Sequence, residues 1–82
     1  MWLKMTKEIS LLSLKTNQEA KIVKINGGSE AIKRLSDLGL TPNTKIKILR
    51  KAIFGGPIEV EVRRSRFSLG RGLALKILVE VE

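Results

Sequence analysis

The hydrophobic positions of this chain follow two spacings, and the change between them is sharpest around residues 29–44. Ala31, Ile32, Leu35 and Leu38 recur at three- and four-residue intervals, the stripe of an amphipathic helix. The same segment carries start and stop signals. Ser29 suits an N-cap, because its hydroxyl accepts a bond from a free N–H of the first turn. Glu30 places negative charge near the positive helix end, and Arg34 one turn later adds a weak surface pairing. Gly39 suits the left-handed position after the helix, from which the Leu40 N–H reaches the Leu35 carbonyl. Pro42 then holds Thr41 extended and prevents a return to helix. The spacing predicts a short helix over about residues 29–38. Leu35, Leu38, Gly39, Leu40 and Pro42 are expected to define the fold around it.

Elsewhere the period is two. Glu19 to Asn26 reads as a strand that follows a turn at Thr16-Asn17-Gln18 and is ended by Gly27-Gly28. Ala20 and Ile22 lie in one phase but Val23 and Ile25 in the other, so a bulge or sharp coil is expected within it. Thr44 to Arg50 and Pro57 to Val62 alternate more cleanly. One hairpin register sets Ile46 opposite Val60 and Ile48 opposite Ile58. Lys45 then faces Glu61 and Lys47 faces Glu59, with each charge pair contributing about 0.2–1 kcal/mol. Arg66 to Leu69 forms a further strand, Leu73 to Lys76 a helical turn, and Ile77 to Glu82 the last strand. Leu11, Leu12 and Leu14 make an early apolar segment, whereas Met1 to Lys7 reads as a loose extension. The expected fold is mostly β: a small barrel of five or six short strands, with the inserted helix and a helical turn before the last strand. Eighty-two residues make one domain, 1–82, with a compact core.

Composition removes several classes of chemistry. The chain has no cysteine and no histidine, so thiolate nucleophiles, disulfides and the commonest metal ligand and general base are all absent. Asp37 falls on the polar side of the helix, and Glu59 and Glu61 have predicted lysine partners, so no carboxylate is set apart for acid–base work. An enzyme is therefore not expected, and neither a cofactor nor a resident metal. The apolar runs are too short for a membrane span and no signal peptide is visible, which points to a cytoplasmic protein without membrane insertion. Gly27-Gly28-Ser29 before a helix resembles an anion cradle, but it lacks the spacing of a nucleotide loop and reads as a connecting turn.

Charge changes the picture most. Sixteen Lys and Arg against eight Asp and Glu give a net charge of +8, which favours acidic partners as well as plain solubility. Arg63, Arg64 and Arg66 form the tightest cluster. Ile53 and Phe54, at the tip of the predicted hairpin loop, either fold back as a lid on the barrel or form a contact surface.

Taken together, these residues resemble the FeoA family from about Ile9 to Val81. The resemblance lies in Leu11-Leu12-Ser13-Leu14, Ala20-Lys21-Ile22-Val23-Lys24-Ile25, Gly56-Pro57-Ile58-Glu59-Val60 and Ser68-Leu69 with Ala74 and Ile77. It is closest in Arg34-Leu35-Ser36-Asp37-Leu38-Gly39-Leu40-Thr41-Pro42. Asn17 and Asn43 stand where the family usually has Gly, a substitution that Asn tolerates in left-handed turns. Gly56 stands where Asp is common, and Arg64-Ser65 replaces a turn that often contains Gly. The resemblance implies an SH3-like barrel and a cytoplasmic accessory role in ferrous iron uptake. It further implies docking to FeoB, a membrane transporter with a GTPase domain. The expected docking residues are Ile53 and Phe54 with Arg63, Arg64 and Arg66 beside them. Trp2 is a lesser anchor for a partner or for self-association. Two alternatives stay open. One is a basic SH3-like module binding RNA or the ribosome; the other is the similar domain of metal-dependent repressors, whose DNA-binding domain is absent here.

Overall fold

The computed structural model describes residues 7–81; most of the predicted extension, Trp2 included, lies outside them. Strand β1 (Glu8–Ser10) leads into a 3-10 turn at Leu11–Ser13, followed by β2 (Glu19–Ile25) and helix α1 (Ser29–Asp37). Strands β3 (Lys45–Lys51), β4 (Ile58–Val62) and β5 (Ser65–Leu69) follow, then helix α2 (Arg71–Leu75) and strand β6 (Ile77–Glu80). All pairings are antiparallel, in the order β1-β6-β2-β3-β4-β5. The sheet coils as a small SH3-like barrel around a core that includes Leu11, Leu14, Ile22, Leu35, Leu40, Ile46, Ile48, Ile58, Val60, Ile77 and Val79, all fully buried.

The phase change in β2 is a bulge: Ile22 pairs with Val79 and Lys24 with Leu78, so Val23 is the extra residue. Ala20, Ile22 and Ile25 are consequently all buried. The helix stop also forms as expected. Gly39 has φ +89, the Leu40 N–H donates to the Leu35 carbonyl at 2.9 Å, and the Gly39 N–H donates to Ser36 at 2.9 Å, a Schellman motif. Asn17 and Asn43 both adopt left-handed backbone, with φ 68 and 73.

Three expectations are corrected. Gly28, not Ser29, occupies the N-cap and makes no side-chain cap bond; the helix simply begins one residue early. Leu38 is not core. It is 48% exposed, because the Schellman turn commits Leu35 and Leu40 to the interior and leaves Leu38 on the outer side. The β3–β4 register is shifted by two residues from the predicted one: Lys47 pairs with Glu61 and Ile48 with Val60. A bulge at Leu49 then sets Arg50 opposite Glu59 and Lys51 opposite Ile58. Charge complementarity survives with other partners, as Arg50 Nε lies 3.3 Å from Glu59 and Arg66 Nε 3.8 Å from Glu61.

Candidate functional site

Glu59 and Glu61 are thus held by arginines in a surface ladder. Among the described residues, no three His, Cys, Asp or Glu side chains converge to hold a metal ion. A groove of about 210 Å³ beside β2 is lined by Glu19, Ala20, Lys21, Lys45 and Glu80, where acids and lysines are interleaved. Among the described residues, no helix is long and apolar enough to cross a membrane. Two surface features stand out in the described residues.

The first is the loop from Ala52 to Pro57, between β3 and β4. The Ala52 N–H donates to the Pro57 carbonyl at 3.1 Å, and the Gly56 N–H to the Ile53 carbonyl at 3.3 Å. Arg71, at the start of α2, reaches across to close it: Nε donates to the Gly56 carbonyl at 3.0 Å and Nη2 to the Ala52 carbonyl at 3.2 Å. Gly56 has no space for a side chain, since a Cβ there would lie 2.7 Å from that of Ala52. Phe54 adopts φ 56 and Gly55 φ 76, the left-handed region that a bulky residue enters only at a cost. With its carbonyls turned to Arg71, the loop directs its apolar side chains outward. Ile53 is 78% exposed and Phe54 99%. The lid expected as one alternative does not form; both side chains face solvent.

The second feature is the two-residue turn at Arg63-Arg64. Val62 pairs with Ser65, so Arg63 (φ 51) and Arg64 (φ 70) are the central residues of a tight hairpin turn. Left-handed backbone at both positions is the type I′ geometry, for which Asn-Gly is the usual solution. Both arginines are exposed, and the ion pairs among the described residues involve Arg50 and Arg66 instead. Phe67, on β5 beside Arg66, packs partly buried against the core.

The sequence reading set the arginine cluster beside Ile53 and Phe54, but the structure separates them. The apolar loop precedes β4 and the arginine turn follows it, and five extended residues at roughly 3.3 Å each put about 16 Å between the two. Arg66 belongs with the turn. Arg71 is turned to the loop carbonyls. Lys51 is similarly occupied, its Nζ donating to the Leu12 carbonyl at 2.7 Å. Neither role leaves a periodic trace in the sequence. Three further large apolar side chains, Ile32, Leu38 and Leu75, are each 41–58% exposed. Separately, residues of α1 and α2 and their caps border an open groove of about 410 Å³, lined by Gly28, Glu30, Ala31, Arg34, Leu73 and Lys76.

Comparisons with known proteins agree on one family. The FeoA domain matches residues 9–81. A Methanocaldococcus jannaschii protein named Fe(2+) transport protein A is 36% identical over 66 residues, covering 80% of this chain and 78% of the relative. The solution structure of a FeoA-like protein from Clostridium acetobutylicum superposes with a TM-score of 0.84 at 35% identity, covering 94% of this chain and 90% of that one. A manganese-dependent transcriptional repressor superposes with a TM-score of 0.86, but at 16% identity and over 45% of its own length, a likeness of fold alone.

Proposed function

Because the chain belongs to the FeoA family, which is associated with ferrous iron transport, we propose that it is a non-enzymatic cytoplasmic accessory protein of ferrous iron uptake. It acts by docking to the cytoplasmic GTPase region of an FeoB-type membrane transporter, with iron as the cargo of that transporter. The observation that carries the docking reading is the pinned loop that presents Ile53 and Phe54 to solvent. An exposed aromatic on a braced backbone is characteristic of an interaction anchor. The arginines at 63, 64 and 66 supply charge for steering toward an acidic surface.

Titration of the purified chain with the GTPase region of the FeoB-type transporter tests this. Saturable binding that weakens moderately with added salt supports it; no binding at low salt overturns it. RNA or ribosome binding is the second reading, favoured by the free turn arginines and the net charge of +8. Base stacking generally uses several aromatic platforms, whereas Phe54 is the one exposed Phe among the described residues. A steep salt dependence with generic RNA, and no response to the GTPase region, would decide for it.

A further inference from the structure

We propose that the Ala52–Pro57 loop is a preformed apolar plug, whose Phe54, flanked by Ile53, enters an uncharged pocket on a protein partner. This rests on the docking reading above and specifies where the affinity resides. From Ala52 to Ile58 the chain carries no charge. The neighbouring cations are already engaged: Arg71 on the Gly56 and Ala52 carbonyls, Lys51 on the Leu12 carbonyl and Arg50, at the surface, on Glu59. A tip made for a polyanion, whether RNA or an anionic lipid surface, would point cations outward beside the aromatic. This one turns Arg71 and Lys51 onto backbone carbonyls and pairs Arg50 with a glutamate. A second copy of the chain is disfavoured as occupant by the repulsion between two bodies of charge +8 each. What fits is a pocket that desolvates an aromatic ring and asks for no counter-charge, on a partner whose wider surface is acidic.

The loop is also prepared in advance. Left-handed backbone at Phe54, two carbonyls held by Arg71, and a Gly56 packed too closely against Ala52 for any Cβ together fix one shape. Such preorganisation reduces the ordering cost of binding. The Arg63-Arg64 turn, about 16 Å away at the far end of β4, then has a separate task. It raises the encounter rate with an acidic surface and sets the salt dependence, while the plug sets the dissociation rate.

The chain has two phenylalanines, Phe54 and Phe67, so uniform 4-fluorophenylalanine labelling gives two ¹⁹F resonances, assigned with F54L. The full chain is titrated with the GTPase region of the FeoB-type transporter and, separately, with phosphatidylglycerol vesicles and with itself. The expected result is that only the transporter region shifts the Phe54 resonance. F54S then weakens that binding at least tenfold, roughly the effect of losing an interface anchor, and leaves the salt slope unchanged. Binding by the unaltered chain with an unmoved Phe54 resonance, or undiminished binding by F54S, overturns the plug and leaves the docking reading standing. A shift caused by vesicles or by self-association overturns the protein occupant. Failure of the unaltered chain to bind the transporter region overturns the docking reading and the plug with it. Thermal unfolding of F54S at the unaltered temperature establishes that its loss is one of contact, since Phe54 buries nothing in the free chain.

Discussion

The Arg71 guanidinium reaches back fifteen residues to the Gly56 carbonyl, Nε donating at 3.0 Å, while its Nη2 holds Ala52 at 3.2 Å. One side chain thus spans the mouth of the β3–β4 loop and ties it to α2. The fork geometry of arginine is what lets a single residue serve two carbonyls. Replacement by Ala is expected to raise amide hydrogen exchange at Phe54–Gly56 and to leave the barrel strands protected. Lys at 71 restores little, because an ammonium supplies a point charge instead of a fork. Equal protection of the loop in R71A and the unaltered chain would show that the loop closes without it.

The hairpin turn makes an opposite prediction for stability. Arg63 and Arg64 sit in left-handed backbone at φ 51 and 70, a conformation costing ordinary residues roughly 1 kcal/mol or more each. Replacing the pair by Asn-Gly is expected to stabilise the chain by about 1–2 kcal/mol, since that dipeptide adopts the type I′ turn without strain. The urea midpoint should rise with an unchanged slope. The same variant should bind its acidic partner more slowly and with a shallower salt dependence. A stability gain with unaltered association kinetics would assign the arginines no part in steering.

How far the fold could be read from the chain depended on which residues carried the information. The Leu35-Gly39-Leu40 stop was readable because only a few residue types satisfy a Schellman turn, and the β2 bulge because the side chains change phase at Val23. The β3–β4 register was not. Sliding two strands by two residues leaves every side chain on its own face, and Lys47 meets a glutamate in either register. The Leu49 bulge, which decides the matter, has no phase change to announce it. Phe54 was ambiguous because apolarity predicts burial, and its exposure follows from loop closure by a side chain seventeen positions away. That long-range contact is also why the separation of the two docking features had to come from the structure.

Leu35 and Leu38 share the helical stripe but not its energetics. Leu35 is fully buried and Leu38 is 48% exposed. Leu35→Ala should destabilise by about 2–5 kcal/mol, combining lost transfer energy with a cavity. Leu38→Ala should stay within about 1 kcal/mol, as is usual for a side chain that is half in water. Denaturant unfolding of the two variants checks this directly. Comparable losses would mean that Leu38 is covered in solution.

Gly39 and Gly56 are both glycine for different reasons, and alanine separates them. At Gly39 the backbone lies at φ +89 and nothing approaches within 4 Å of where a Cβ would stand. The cost there is conformational alone, roughly 1 kcal/mol, and it falls on the helix stop. Asn at 39 should recover part of it, as Asn does at positions 17 and 43 of this chain. At Gly56 the difficulty is space. A Cβ would stand 2.7 Å from the Ala52 Cβ, and the two cannot coexist unless the loop opens. Gly56→Ala is therefore expected to release the Arg71 bonds and mobilise Phe54, with little change in global stability because neither residue belongs to the core. Pairing the substitution with Ala52→Gly removes the opposing methyl and should restore loop protection and partner affinity together. Failure of the double variant to recover either would show that Gly56 is required for its backbone and not for its lack of a side chain.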